Sequence, residues 1–507
     1  MSGKGGEGTA DAPVPHVDLL VTNATAILGG PNGEQYRIVP ETAIEIVGGT
    51  ISWIGPADSD RASRATKVID GGGKLAVPGL ISTHNHAFQN LCKGLGDELA
   101  VWPIVEGVII ATAEEMNPDE IYIAALACCV EGLRSGRTAF LDFMFGLPDI
   151  EHQRAVLRAF RESGIRGFLG RATREFHHEA SHRDPWYLPL DDVFDQITAL
   201  ASEYSNGLPT PSALPAPGNP RTMSTKGLIR VKEYALEQDC LTTTHLAEYD
   251  AERGEGVERW GIGTIAKLEE IGFLGPELVA AHCAILNDAE LEILARTGTK
   301  VSYNPVSNCY CGVGIAPIVP MLEIGIDVSV AVDGASVNCQ NMLESLKFGA
   351  LLQKAAFGDA MAINARDMLK LATVAGAKAL GVPDLLGALE VGRLADLFLF
   401  DQYQLNTVPA HDPISALVYA GGPQNVETVI VGGEVLLEKG RCTRVDEEAL
   451  VREMQERAVA VSRRAGTIRF LKGRRFTPFG QYERASIPRP QPLHTANAAV
   501  SDAPTLG

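Results

Sequence analysis

The sequence predicts an α/β protein: a (β/α)8 TIM-like barrel with a small composite β-sandwich made from segments near both ends of the chain. Three observations lead there. Apolar, strand-like runs alternate with amphipathic helical stretches over about 300 residues, the pattern of parallel strands joined by crossover helices. Short β-rich stretches at 17–73 and 387–444 flank that region, and neither is long enough to close a core alone. The chain has 507 residues, too many for one ordinary core and suited to a large barrel with an attached domain. An open doubly wound sheet is the alternative. It is disfavoured because no glycine-rich phosphate loop follows the early strands.

Taken in order, residues 1–16 are rich in Gly, Ala and acidic side chains and read as a disordered tail without the apolar centre of a signal peptide. The first β-sandwich part, 17–73, opens on the strand-like Val17-Asp18-Leu19-Leu20-Val21-Thr22-Asn23-Ala24. Residues 43–47 and 51–55 read as a hairpin about Gly48-Gly49. The barrel is expected over 74–386, with strand-like runs at 75–77, leading into Pro78–His86, and at 138–143, 165–170, 241–245, 278–282, 300–303 and 327–333. Asn117-Pro118-Asp119-Glu120 carries the start signals of a helix over 119–135. The second β-sandwich part, 387–444, holds a strand at 396–401 and a hairpin at 428–437 with Gly432-Gly433 at its turn. The economical arrangement pairs it with 17–73. Residues 445–507 read as a helix to about 466, then an irregular tail rich in Pro, Ala, Thr and Ser from Pro478.

Hydrophobic residues make up 45% and charged residues 21%, a soluble globular balance. The net charge of -19 argues against a nucleic-acid partner, because phosphate binding needs a basic face. The 9 cysteines are odd in number and scattered, unlike a disulfide framework. No apolar run is long and uncharged enough to span a bilayer, so no membrane partner is expected. A reducing cytoplasm is the expected setting.

Chemistry is concentrated where strands end. In Pro78-Gly79-Leu80-Ile81-Ser82-Thr83-His84-Asn85-His86, the two histidines sit at i and i+2, which in extended chain puts both imidazoles on one side. His245 closes one apolar run, His282 another and Asp333 a third. Active sites of (β/α)8 enzymes are built at the C-terminal ends of several strands. His and Asp there are metal ligands or proton carriers. Glu248 follows His245 by three residues, placed for general acid–base work, although a solvated loop carboxylate would look the same. Arg174, His177, His178 and His182 follow a predicted strand and could reach the pocket or face solvent. Cys309-x-Cys311 has no further cysteine pair near it in the sequence to complete a second metal site.

These residues resemble the amidohydrolase superfamily, in the branch of chlorotriazine hydrolases and cytosine- and guanine-type heterocycle deaminases. The carrying segments are 78–86, His245-Leu246-Ala247-Glu248, Ala281-His282-Cys283, Asn304-Pro305-Val306-Ser307-Asn308 and Val332-Asp333-Gly334-Ala335-Ser336-Val337-Asn338. Asp412-Pro413-Ile414-Ser415 and Val429-Ile430-Val431-Gly432-Gly433 close the match, which covers roughly 17–445 in family order. The resemblance implies His84, His86, His245 and Asp333 as ligands of one divalent metal, usually zinc and sometimes iron. Two-metal relatives carry a carboxylated lysine at the end of strand four. The segment read here as that region, 167–174, has no lysine, which implies one metal.

The implied catalytic residues are Glu248, His282 and Asp333. Asp333 takes a proton from the attacking water, Glu248 protonates the ring nitrogen beside the attacked carbon, and His282 orients the nucleophile or polarises the substrate. Gln89, three residues past His86, and Arg174 are candidate substrate contacts alongside His282, and Phe88 reads either as a pocket wall or as a core residue. Asn304 and Asn308 are expected to brace a loop. The implied reaction is deamination of a small amino-substituted N-heterocycle (purine, pterin, pyrimidine or triazine-like) with release of ammonia. Loss of chloride or an alkylamine from a triazine-like ring is the alternative, and the presence of Glu248 favours an amine leaving group. A non-catalytic scaffold would be expected to have lost ligands. A homodimer or higher homo-oligomer is also implied, with the segment around Trp102 either covering the site, as in relatives, or packing in the core.

Overall fold

The computed structural model describes residues 16–29, 36–57, 59–97, 99–145, 147, 149–176, 188–337 and 340–470. The tail expected over 1–16, save His16, and the irregular stretch from Pro478 lie outside the described residues. So do His177, His178, His182 and the side chain of Trp102.

The chain opens with β1 (Val17–Leu28), β2 (Arg37–Val47), β3 (Thr50–Pro56), β4 (Ala65–Asp70) and β5 (Lys74–Pro78). β2 and β3 form the hairpin about Gly48 and Gly49, whose φ values are 57° and 76°. A two-residue turn that matches strand twist needs these left-handed values, and glycine adopts them without strain. β1 is antiparallel to β2, and its other edge carries β4 and then β5 in parallel. Irregularities between Val21 and Ala26 bend β1 so that it serves both partners.

Next come β6 (Leu80–Ser82), β7 (Asn85–His86), β8 (Arg137–Met144), β9 (Arg166–Thr173), β10 (Ala213–Pro217), β11 (Thr242–Leu246), β12 (Leu278–His282), β13 (Lys300–Tyr303), β14 (Val328–Val330) and β15 (Asp333–Gly334). Two four-stranded sheets, β10-β9-β8-β6 and β11-β12-β13-β14, are parallel throughout. At one junction between them Thr242 Oγ1 donates to Pro215 O at 2.9 Å. At the other, β7 pairs in parallel with β15, and Thr83 Oγ1 lies 2.7 Å from Ser302 Oγ and 2.8 Å from Ser329 Oγ. β8, β9 and β12 are buried along their whole length, as parallel strands covered on both faces must be. Helices connect the strands. Asn117 caps Pro118–Leu133, with proline in the first turn and Glu120 closing a capping box.

β10 changes the strand count. The segment 167–174, read from sequence as the region of strand four, belongs to the third parallel strand; the fourth is Ala213–Pro217. Its prolines, Pro215 and Pro217, make it read as a loop. They are tolerated because β10 is the edge of its four-stranded sheet and needs amide donors on one side only. The true fourth strand also lacks lysine.

β16 (Leu397–Asp401), β17 (Val426–Val431), β18 (Glu434–Glu438) and β19 (Arg441–Cys442) finish the strand order. They join the first segment in one sheet, β19-β18-β17-β16-β5-β1-β2-β3, with β4 beside β1. The seam is β5 against β16, with Val77 opposite Phe398. Leu19, Val21, Ile44 and Ile46 share one apolar cluster with Leu397, Leu399 and Ile430, so each segment covers a face the other would leave in water. Lys74–Pro78, grouped by sequence with the barrel, runs in this sheet instead. Arg166 at the start of β9 reaches Asp396 through Nε–Oδ2 at 2.8 Å and Nη2–Oδ1 at 3.0 Å, tying this sheet to the parallel strands. The last helix, Glu447–Arg464, returns to the body through Arg464 Nη2, 2.6 Å from Glu120 Oε2. No helix among the described residues is long and apolar enough to cross a membrane.

Candidate metal centre

His84 and His86 follow β6, His245 lies in β11, His282 ends β12 and Asp333 follows β14. The structure gathers all of them at one end of the parallel strands. Donor atoms of His84, His86 and His245 lie within 4.8 Å of one another, as do those of His84, His282 and Asp333. Asp333 Oδ1 is 3.4 Å from Nε2 of both His84 and His86. His86 Nε2 and His245 Nε2 are 3.2 Å apart.

This donor set fits a divalent cation. His86 Nδ1 lies 2.8 Å from Phe143 O, and His245 Nδ1 lies 2.7 Å from Gly218 O. A carbonyl only accepts, so each Nδ1 carries the hydrogen and each neutral ring turns a bare Nε2 lone pair to the other. Two facing lone pairs repel unless a cation lies between them or one ring is protonated. Protonation is opposed: burial, then the His84 charge, pushes His86 down to about 3, and burial holds His245 well below its ordinary value. Both ring nitrogens of His84 are buried and make no hydrogen bond among the described residues. Burial alone would raise the Asp333 carboxyl, but the His84 imidazole 3.4 Å away and the other imidazoles around it hold it well below the carboxylate range.

The backbone is bent to aim these groups. His282 and Asp333 have φ of 73° and 65°, left-handed values that side chains other than glycine rarely adopt. Such strain is kept where surrounding structure over-determines it. His282 Nδ1 is 2.9 Å from Asn308 Oδ1 and 3.3 Å from Asn304 Nδ2. The two asparagines thus hold an imidazole rather than only bracing a loop. His282 Nε2 points to Glu248 Oε1 at 3.7 Å and Asp333 Oδ2 at 3.8 Å. Burial alone would lower its pKa, but the charges of Glu248 and Asp333 raise it above the ordinary histidine value.

A cavity of about 870 Å³, counted to its open mouth, lies over this cluster and takes in Glu248, Gln89 and Arg174 as well as His86, His245, His282 and Asp333. Gln89 is buried and accepts from Ser336 Oγ at 2.6 Å. A side chain at Gly334 would collide with Gln89 Oε1. Arg174 is partly buried, with its guanidinium carbon 5.5 Å from the Phe145 ring centre. Phe88 is fully buried and absent from the lining; Phe143 and Phe145 supply the aromatic wall. Cys311 lines the pocket, and neither it nor Cys309 joins a metal-ligating group among the described residues.

Sequence reading marks the segment around Trp102 as a cover but not its apolar lining, and it misses two further features. Val101, Ile104, Val105, Ile109 and Ile110 form one apolar wall, on a helical stretch with a π-helical turn at Val105–Ile110. A widened turn of this kind often marks a functional site, but periodicity does not reveal it. Arg221 and Asn219, just after β10, line the same cavity. Glu252 is buried under the Glu248 turn, its Oε1 accepting from Ala247 N at 2.9 Å and its Oε2 from Glu248 N at 3.1 Å. The available signal was its spacing, four residues beyond Glu248.

Comparison with known proteins agrees with this geometry. Residues 75–436 match the model of the amidohydrolase family. The 5-methylthioadenosine/S-adenosylhomocysteine deaminase of Syntrophobacter fumaroxidans is 34% identical over 448 residues, 88% of this chain and 98% of that protein. An adenosine deaminase from Xanthomonas campestris, crystallised with bound zinc, superposes with a TM-score of 0.80 at 26% identity, covering 89% of this chain and 100% of the other. The zinc complex of atrazine chlorohydrolase from Arthrobacter aurescens also scores 0.80 at 26% identity, covering 87% and 100%. With the family match spanning most of the sequence and such a relative aligned almost end to end, the chain belongs to the amidohydrolase family, in the branch of heterocycle deaminases and triazine hydrolases.

Proposed function

We propose that the eight parallel strands form one (β/α)8 barrel, and that its C-terminal rim deaminates a purine nucleoside-like substrate with an apolar 5′ substituent. The observation that carries the reading is Glu248 and Asp333 flanking His282 Nε2 at 3.7 and 3.8 Å, beside an unshared imidazole cluster and under an apolar wall. The general activity, hydrolysis of a C–N bond with release of ammonia from an amino-substituted heterocycle, agrees with the deaminases this chain resembles. The finer reading draws on two supports. The Syntrophobacter relative carries 5-methylthioadenosine in its name. Val101, Ile104, Val105, Ile109 and Ile110 offer hydrocarbon where a hydroxyl-rich group would find no partner.

His84, His86, His245 and Asp333 would hold one divalent ion, which supplies Lewis acidity and lowers the pKa of a water toward neutrality. Asp333, held ionised, accepts a proton from the attacking water. His282 is fixed by Asn308 and faces the oxygen as it adds to the ring carbon. Glu248 delivers a proton to the adjacent ring nitrogen, the proton that Asp333 took from water goes to the departing amine, and the added hydroxyl returns its proton to Glu248 as the carbonyl forms. Water adds, the C–N bond breaks, and ammonia leaves behind a ring carbonyl.

The test is ammonia release by the zinc-loaded chain over adenosine, 5′-methylthioadenosine, guanine and an N-alkyl aminotriazine. The methylthio nucleoside should be preferred. Glu248→Gln should lower kcat/KM by about 10²- to 10⁴-fold with metal content unchanged. A protein that binds zinc yet releases no ammonia from any of these would overturn the reading.

A further inference from the structure

Behind the metal cluster lies a fully buried guanidinium. Arg137 is the first residue of β8 and is 0% exposed. Among the described residues no carboxylate lies within ion-pair distance of it, an expensive position for a permanent charge. Its bonds go to neutral oxygens and to one thiol, Nη2 lying 3.3 Å from Cys128 Sγ. Nη1 donates to Asn85 Oδ1 at 3.1 Å and to Gln340 Oε1 at 3.0 Å, and Nη2 donates to Cys128 O at 2.7 Å. The Phe140 ring centre is 4.5 Å from its guanidinium carbon. On the helix above, a side chain at Gly132 would collide with Nε and Nη2, so glycine there leaves the room the guanidinium occupies.

The two amides it grips are placed with respect to the metal cluster. Asn85 stands between His84 and His86 and is paired with Asp333 in the β7–β15 register. Gln340 Nε2 donates to the backbone oxygen of Asp333 at 2.9 Å. Asn85 Nδ2 also donates to Cys128 Sγ at 3.2 Å, and Cys128 Sγ to Gln340 Oε1 at 3.3 Å, closing the network on itself. One cation therefore bonds the residue between two candidate ligands and the amide that fixes a third. Those segments lie more than two hundred residues apart, as the separations of Arg137 from Asn85, 52, and from Gln340, 203, imply.

We propose that Arg137 is a positioning residue for the metal centre. It clamps Asn85 and Gln340, and so holds the His84–His86 segment and Asp333 at the separation a single ion requires. Residues that orient ligands from behind typically alter metal affinity by about 10- to 100-fold when removed. The inference rests on the metal-site reading above.

The experiment reconstitutes the full chain and its Arg137→Met variant with Co2+ and with Zn2+. It reads the visible absorption bands of the cobalt form, the dissociation constant by chelator competition, and kcat and KM. Arg137→Met should bind either ion at least about tenfold more weakly, shift the cobalt bands and lose kcat more than it gains in KM. Should that variant fail to fold, Gln340→Met, which cuts the tie to Asp333 and leaves Arg137 in place, is expected to shift the same bands and weaken binding. A folded Arg137→Met, or in its absence a folded Gln340→Met, with wild-type affinity and an unchanged cobalt spectrum would overturn the proposal. Failure of the wild-type chain to bind either ion would instead overturn the metal-site reading on which it stands.

Discussion

Glu252 offers the sharpest test of how the Glu248 turn is built. Both of its oxygens accept backbone amides, at 2.9 Å from Ala247 N and 3.1 Å from Glu248 N, in a turn where Ala247 takes a φ of 49°. Burial pushes its carboxyl from 4.5 up to about 7, against the pull of those two hydrogen bonds. The folded state therefore binds more protons than the unfolded one between these values, and stability falls as pH rises through that window. A rise from 4.5 to about 7 corresponds to a loss on the order of 3 kcal/mol on going from about pH 5 to about pH 8. Glu252→Gln cannot titrate, so this share of the slope should vanish. The glutamine has one acceptor oxygen for two buried amide donors, and the mismatch should cost about 1–3 kcal/mol. At about pH 5 the variant should be the less stable by that amount, and at about pH 8 the gap should close or reverse. Urea unfolding of metal-saturated wild type and variant across the window measures this as a difference of differences, in which all other titrating groups cancel. The variant should also lose kcat while keeping its metal, because Glu248 N loses its anchor. Parallel stability–pH curves for the two proteins would refute the reasoning.

Three further outcomes are expected. Asp396→Ala leaves the Arg166 guanidinium buried without its carboxylate and should cost about 3–5 kcal/mol, read as a drop in denaturation midpoint with kcat little changed. Ile109→Ala removes hydrocarbon from the apolar wall and should lower kcat/KM for 5′-methylthioadenosine relative to adenosine by about tenfold or more, at about 0.8 kcal/mol per methylene. An equal loss for both nucleosides would place the substituent elsewhere. Chelation should abolish ammonia release, and restoring zinc to 100 times its dissociation constant should return about 2.7 kcal/mol of stability, visible as a rise in Tm.

Much of the site could be read along the chain. His84, His86, His245, His282 and Asp333 each stand at or just beyond the end of an apolar run, and the register of a buried strand dictates which residue reaches its end. The hairpin glycines at 48–49 and 432–433 and the cap at Asn117 were equally plain, because turns and caps are local chemistry. The fourth parallel strand was not legible, since Pro215 and Pro217 argue against a strand until the structure shows which edge needs no donors. The apolar wall at 101–110 was legible only in part: the family resemblance marked the segment around Trp102 as a cover, but Ile109 and Ile110 read as ordinary helix core until a pocket opens beside them.

Sequence by itself determined the alternation of elements and the chemical kinds at the strand ends, because burial and backbone periodicity are recorded residue by residue. Only the tertiary structure decided which atoms meet. It brings Nε2 of His86 within 3.2 Å of Nε2 of His245, 159 residues away, and sets Arg137 behind Asn85 and Gln340. It also turns Glu252 inward under Glu248. Such contacts depend on how strands close on one another, and a carboxylate or guanidinium carries no mark in sequence of whether it will face water or a buried amide.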